Sequence, residues 1–252
     1  MSEQEQEITC QVNLLDSAEA VEEFYSGCIP LIIESEICEG EKKEWIQRIY
    51  SVAHTLLKGA RGQLNFFSLS VMKVITCELS PHEKKDWISI LEHETLPHVQ
   101  KEGEKENFYA MCMMRLLSSS LPQSEKSFWA DHLDSVSSHH LVREGQRENF
   151  YSMACMMIVH SPLSHAEKET LIHDLLTSCK DAGSDQYQRI LSYCMVRMAR
   201  EPDSCSYIPT ILKCSHNQAD LKTRGEDLIF NVIPGEKACD VLFRLQSSYK
   251  RE

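Results

Sequence analysis

The sequence predicts an all-α protein, specifically a right-handed α-solenoid of about four to five two-helix repeats with helical caps at both ends. The main observation is that two separate sequence blocks recur with a period of 42 residues. A second is that apolar residues within each unit follow helical spacing. A third is that 42% apolar and 25% charged residues over 252 positions are typical of a globular chain rather than a disordered or membrane one.

The recurring blocks define the units. The first block starts with Glu-Lys and reaches an aromatic residue four positions later, and its copies end at Trp45, Trp87 and Trp129, with Leu171 in a fourth position. The second block is Asn followed by two aromatic residues, at Asn65, Asn107 and Asn149. Constant offsets in two independent blocks are difficult to obtain by chance, so the repeat is the strongest signal in the chain.

The first helix of each unit has clear boundaries. Ser80 with Glu83 and Ser164 with Glu167 form predicted capping boxes, and Pro81 suits the first helical position. Pro97 predicts that one such helix ends near residues 94–95. The second helices, over residues 108–117 and 150–159, are apolar almost all round, which is typical of helices covered on several sides.

These patterns divide the chain into a cap, an array and a second cap. Residues 1–40 form an acidic N-terminal helical cap, with one helix to about Tyr25 and a break at Gly27 and Pro30. The predicted units are 41–82, 83–124, 125–166, 167–203 and 204–233, the fourth having a shorter internal offset of 40. Residues 234–252 form a C-terminal cap helix, because solenoid ends must cover an exposed core face.

The 42-residue period and the two-helix unit resemble the HEAT and armadillo class of α-solenoids over residues 41–233. The resemblance implies a curved array that presents one long concave surface to a partner. It implies no catalytic residues.

A ladder of cations gives the best candidate for that surface. Lys73, Arg115 and Arg197 occupy three of four equivalent positions in otherwise apolar second helices, with Met157 at the remaining one. An unpaired buried cation is costly, so each must reach water or an anion. They either bind an acidic or phosphorylated partner in the groove, or pair with acidic residues of adjacent units.

The other periodic residues have two interpretations each. Asn65, Asn107 and Asn149 either contact a bound peptide or cap the second helices, since Asn is a favoured N-cap. Trp45, Trp87 and Trp129 either form an aromatic ladder or, as we favour, lie in the core.

No pattern predicts a metal site, a cofactor or a catalytic residue. His132, His139 and His140 lie near one helix face but lack a metal-binding arrangement such as H-E-x-x-H. The eleven cysteines contain no C-x-x-C, and most lie in apolar segments, so we interpret them as reduced thiols of a cytoplasmic protein.

The sequence therefore predicts a protein-binding scaffold or adaptor whose partner is another protein or peptide carrying anionic groups. The alternative is a HEAT-like enzyme, either a DNA alkylation-repair glycosylase or a bacterial effector secreted without a signal peptide. Nucleic acid is a less favoured partner, and self-association is a third possibility. No apolar run is long enough to predict a membrane span.

The net charge of −12 is concentrated at one end. Residues 1–40 contain ten acidic residues and no Lys or Arg, whereas the remaining residues carry a net charge of only −2. The array itself is thus compatible with an anionic ligand. We also expect the acidic segment to fold over the cationic ladder and compete with a partner.

Overall fold

The computed structural model describes residues 17–101, 103–179, 183–234 and 236–249, and every regular element in those ranges is helical. This confirms the all-α prediction. None of the described helices is long and apolar enough to cross a membrane. The α-helices are α1 Ala18–Glu34, α2 Glu39–Leu56, α3 Ala60–Thr76, α4 Pro81–Thr95, α5 Glu104–Leu117, α6 Gln123–His140, α7 Gln146–His160, α8 His165–Ser178, α9 Ser184–Ala199, α10 Ile208–Cys214, α11 Gln218–Val232 and α12 Glu236–Ser248, with short 3-10 helices at Leu96–His98 and Pro202–Tyr207.

The helices belong to two compact units. The first unit ends at Phe108 and contains α1 to α4 and the start of α5, and the second begins at Tyr109 and contains the rest of α5 and α6 to α12. In the first unit, α1 packs along α3, and in the second, α7 packs along α9.

The first helices of the predicted repeats begin at a constant step. Helices α2, α4, α6 and α8 start 42 residues apart, as the sequence blocks predict. The capping box of α4 is confirmed, because Ser80 N–H donates to Glu83 (3.0 Å) and Glu83 N–H donates to Ser80 Oγ (3.3 Å). The Ser164–Glu167 box has the same two bonds, at 2.8 and 3.4 Å.

The lysine of the Glu-Lys block has a structural role that repeats with the same period. Lys42, Lys84 and Lys126 each donate from Nζ to the carbonyl nine residues earlier, at Ile33 (2.6 Å), Ile75 (2.8 Å) and Leu117 (2.8 Å). Those carbonyls lie at the end of the preceding helix, where they have no partner within the helix and where a cation is favoured. The block thus ties each first helix to the end of the helix before it.

Glycine, not asparagine, caps the second helices. Gly59, Gly145 and Gly183 are the N-caps of α3, α7 and α9, with φ between 81° and 97°, a region that glycine adopts without strain. The prediction that the Asn residues cap these helices is wrong, because each helix starts several residues earlier. Asn65, Asn107 and Asn149 therefore lie inside α3, α5 and α7.

Helix α1 is continuous, so the predicted break at Gly27 and Pro30 is wrong. Ser17 Oγ accepts a bond from Ala20 N–H at the start of α1, and the helix runs through Pro30 to Glu34. A proline inside a helix removes one backbone hydrogen bond. The buried Ile29 and Ile33 on either side of Pro30 hold the helix against the core and offset that loss.

Helix α1 also contains a copy of the second-helix block. Glu23-Phe24-Tyr25-Ser26 lies 42 residues before Asn65-Phe66-Phe67-Ser68. Ser26 Oγ donates to the carbonyl of Glu23 (3.3 Å), as Ser68 does to Asn65 (3.0 Å) and Ser152 to Asn149 (3.0 Å). Helix α1 is therefore equivalent to the second helices, and residues 1–16 of the predicted cap lie outside the described residues.

The second helices and the tryptophans form most of the core. Phe66, Phe108 and Phe150 are fully buried, and so are their aromatic neighbours in the block. Trp87 and Trp129 are buried, which confirms the core interpretation for them, whereas Trp45 is half-buried beneath the guanidinium of Arg48 at 5.3 Å. All ten described cysteines are free, and six of them are buried.

Candidate functional site

Each second helix leaves the same narrow stripe accessible. From Phe150 to Val159 in α7 only Met153 and Met157 are not buried, and the matching stretch of α9 leaves only Tyr193 and Arg197. In α3 the equivalent pair is Leu69 and Lys73. We call these half-buried positions, with the Asn-position residue one turn before them, the second-helix stripe. The predicted cations all lie on it.

Lys73 is neutralised within the first unit. Its Nζ lies 3.1 Å from Oε2 of Glu23 on α1, and the two side chains are 37% and 59% exposed. Of the two interpretations of the ladder, binding a partner or pairing with acidic residues of adjacent units, the contact of Lys73 with an acidic residue of the neighbouring N-terminal cap favours pairing for this cation. Glu23 belongs to the acidic N-terminal segment, of which Glu3, Glu5 and Glu7 lie outside the described residues.

Arg197 has no such partner. Its side chain is half-buried, and its Nη1 lies 3.5 Å from Ser152 Oγ on α7, a contact at the limit of a hydrogen bond. It forms no ion pair with a carboxylate of the described residues. The position equivalent to Glu23 is here Asn149, which is exposed and uncharged.

The other half-buried arginines of the second unit differ from Arg197, because each of them has a partner. Arg147 lies 2.6 Å from Asp134, Arg224 lies 2.8 Å from Asp185, and Arg244 donates to the carbonyls of Ala199 and Arg200. Arg115 is half-buried and interacts with other residues of the chain. For Arg197, the described residues of the second unit provide no carboxylate.

Further accessible groups lie at the C-terminal ends of α7 and α9. Arg200, the C-cap of α9, is exposed and forms no ion pair with a described residue. His160 on α7 lies 2.8 Å from Glu201. Among the predicted asparagines, Asn149 belongs to this surface, while Asn65 and Asn107 are half-buried residues of the first unit.

A buried polar network holds α7 in place. Asp134 on α6 accepts bonds from Arg147 (2.6 Å) and from the Tyr151 hydroxyl (2.5 Å), and Arg147 also donates to Gln186 on α9 (3.2 Å). Burial raises the pKa of Tyr151 well above its usual value, so the phenol stays protonated and remains a donor. No periodic signal marks these residues, and the sequence analysis did not identify them.

The histidines and cysteines were the remaining candidates for a metal site. No group of three or more His, Cys, Asp or Glu there could hold a metal ion. In the first unit, the rings of His54 and His98 are tilted by 36° with their centroids 4.2 Å apart, beside a cleft of about 440 Å³, and burial lowers the pKa of His98. In the second, the Cys155 and Cys194 sulfurs lie 3.8 Å apart, and burial raises the pKa of Cys194, which disfavours its thiolate.

No protein-family description, curated protein or solved structure matches this chain. The contacts around Arg197 therefore carry the functional argument.

Proposed function

We propose that this protein is a cytoplasmic α-solenoid scaffold of HEAT-like repeats, and that it binds an acidic protein partner on the surface of α7 and α9. The solenoid is supported by the 42-residue step of the first helices, the periodic lysine-to-carbonyl bonds and the common second-helix stripe. The six buried free thiols support a reducing compartment.

The observation that carries the proposal is the uncompensated charge of Arg197. A guanidinium that is half removed from water needs an anion or several good acceptors to offset its lost hydration. The 3.5 Å contact with Ser152 supplies neither. An acidic or phosphorylated group on a partner would supply a charge-assisted bond, and a planar guanidinium suits bidentate recognition of either.

The apolar residues beside Arg197 suit a protein partner better than a free ion. Met153 and Met157 on α7 and Tyr193 on α9 are all half-buried and border the same stripe. Methionine side chains adapt to differently shaped apolar surfaces, and tyrosine is enriched at interfaces. The surface thus offers a cation that can bind an anionic group and apolar side chains that a partner can bury.

The test compares two variants in each of which one ladder cation is replaced by methionine. Arg197→Met places at the fourth repeat the residue that Met157 already provides at the third, so we expect the fold to tolerate it. Lys73→Met is the matched control, because Glu23 neutralises that cation. Each purified protein is immobilised and challenged with native lysate, and the retained proteins are quantified by mass spectrometry.

We expect at least one acidic protein to be retained by the wild type and by Lys73→Met, and to be depleted at least tenfold by Arg197→Met. The thermal midpoints of the three proteins should agree within about 2 °C, since a 1 kcal/mol change would shift a chain of this size by about that much. Equal retention by all three proteins would refute the proposal.

A further inference from the structure

We infer that the partner presents a glutamate or aspartate on an amphipathic helix, and that its carboxylate lies between Asn149 and Arg197. It would occupy there the place that the Glu23 carboxylate occupies beside Lys73 in the first unit. This inference rests on the proposed function and names the chemistry of its partner.

The two places share one backbone framework. Glu23 and Asn149 are separated by three repeat periods, and each has a serine three residues later that donates to its carbonyl. Lys73 and Arg197 occupy the same position of the following second helix, and each reaches back towards the preceding one, to Glu23 or to Ser152. The difference that matters for charge is that the first unit has Glu23 where the second unit has Asn149.

A carboxylate fits the second place chemically. In the first unit, the Glu23 carboxylate lies 3.1 Å from Lys73. The distance between the two neighbouring second helices is therefore large enough for a carboxylate beside the cation. Asn149 can donate from its amide, and Arg197 can donate from its guanidinium, so both would contribute bonds to an incoming carboxylate. Neither side chain can supply the negative charge itself.

The stripe of α7 favours a helical segment. Asn149, Met153 and Met157 are spaced four residues apart, which places successive side chains about 6 Å apart along one helix face. A partner helix with an acidic residue and two apolar residues at the same spacing would match the polar and apolar parts of this face. Such helices bind through apolar side chains at regular turns, and acidic residues supply the register.

The probe for this inference is a fluorescein-labelled, alanine-based helical peptide carrying Glu, Leu and Leu at positions i, i+4 and i+8. Two further peptides replace the Glu with Gln or with phosphoserine. Fluorescence anisotropy measures the binding of each to the full chain. We expect the Glu peptide to bind the wild type at least tenfold more tightly than the Gln peptide.

The decisive variant is Asn149→Glu, which recreates the Glu23–Lys73 arrangement inside the second unit. Its carboxylate should neutralise Arg197 and remove the preference for the Glu peptide, while no cation is lost from the surface. Asn149→Gln is the matched comparison, because it lengthens the side chain as glutamate does but adds no charge. Loss of the preference in Asn149→Glu beyond that in Asn149→Gln is therefore due to the new carboxylate. Arg197→Met should abolish the preference, and Lys73→Met should leave it unchanged.

Equal binding of the Glu and Gln peptides to the wild type would overturn the inference, as would a preference that survives Asn149→Glu. Phosphoserine binding at least tenfold tighter than Glu would overturn the carboxylate assignment but leave an anionic partner intact. The lysate comparison is independent of the peptides. If Arg197→Met still retains every protein that the wild type retains, the proposed function itself fails.

Discussion

The two units treat equivalent cations in opposite ways. In the first unit, Lys73 lies 3.1 Å from Glu23. In the second, the guanidinium of Arg197 lies 3.5 Å from the Ser152 hydroxyl, forms no ion pair with a described residue, and has Asn149 at the position equivalent to Glu23. At both places a serine hydroxyl donates to the carbonyl three residues earlier. Equivalent positions of similar local structure can therefore differ in whether an acidic side chain neutralises the cation.

One ion pair in each unit illustrates two different degrees of burial. The Lys73–Glu23 pair is largely exposed, whereas Arg147 and Asp134 in the second unit are 11% and 17% exposed and share Tyr151 as a third member. Exposed pairs contribute little to stability, but breaking a buried pair leaves a charge without compensation. We therefore expect mutations of these pairs to lower the free energy of unfolding by very different amounts.

The largest effect should come from Asp134→Ala. It removes the carboxylate beside the largely buried Arg147 guanidinium, which keeps its bond to Gln186, and it removes the acceptor of the Tyr151 hydroxyl, so we expect a loss of about 3–5 kcal/mol in the free energy of unfolding. Urea unfolding followed by far-UV circular dichroism measures it. A loss below about 1 kcal/mol would show that the network does not hold α6 and α7 together.

The capping boxes should have smaller and nearly equal effects in the two units. Ser80→Ala in α4 and Ser164→Ala in α8 each remove the side-chain oxygen that accepts the Glu N–H, which costs about 1 kcal/mol in a typical helix. The same unfolding experiment measures both. A difference of more than about 1 kcal/mol between them would indicate that the two caps are not equivalent.

The same boxes predict a change with pH. Hydrogen bonds from the Ser80 and Ser164 hydroxyls lower the pKa of Glu83 and Glu167 below the usual value of 4.5. Bonds from the backbone N–H groups of the same serines lower it further. Ionised caps therefore stabilise the fold above that pH, and their contribution is lost as the pH falls through the lowered values. Melting temperatures between pH 7 and pH 3 should fall less steeply in the double variant Ser80→Ala, Ser164→Ala, and parallel curves would contradict this.

The smallest effect concerns the pair in the first unit. Because both side chains are more than one third exposed, we expect the coupling between Glu23 and Lys73 to be less than about 1 kcal/mol. A double-mutant cycle with Glu23→Gln and Lys73→Met isolates it. A coupling above about 2 kcal/mol would mean that this pair is a structural element rather than a surface contact.

Local and periodic features were the ones that the sequence could predict. The 42-residue step, the capping boxes at Ser80 and Ser164 and the helix end at Thr95 depend on neighbouring residues, and the structure has them where they were expected. The Glu-Phe-Tyr block at Glu23, 42 residues before the block at Asn65, is a further periodic signal in the sequence. It marks α1 as equivalent to the second helices.

The misplaced features depend on packing. Pro30 predicts a break by its backbone chemistry, but the burial of Ile29 and Ile33 overrides it. Capping, one of the two interpretations of the asparagines, fails because the second helices begin several residues before them, and glycines with positive φ take that role. The pairing of Asp134 with Arg147 and of Glu23 with Lys73 joins residues at no fixed period, so only the folded chain reveals which cations are neutralised.

The most direct measurement of the central claim is the effect of Asn149→Glu on unfolding in two backgrounds. If Arg197 is uncompensated, the new carboxylate should stabilise the wild-type background by up to about 1 kcal/mol more than the Arg197→Met background. Any gain from placing an acid near the start of α7 occurs in both and cancels. An equal effect of Asn149→Glu in both backgrounds would contradict the account.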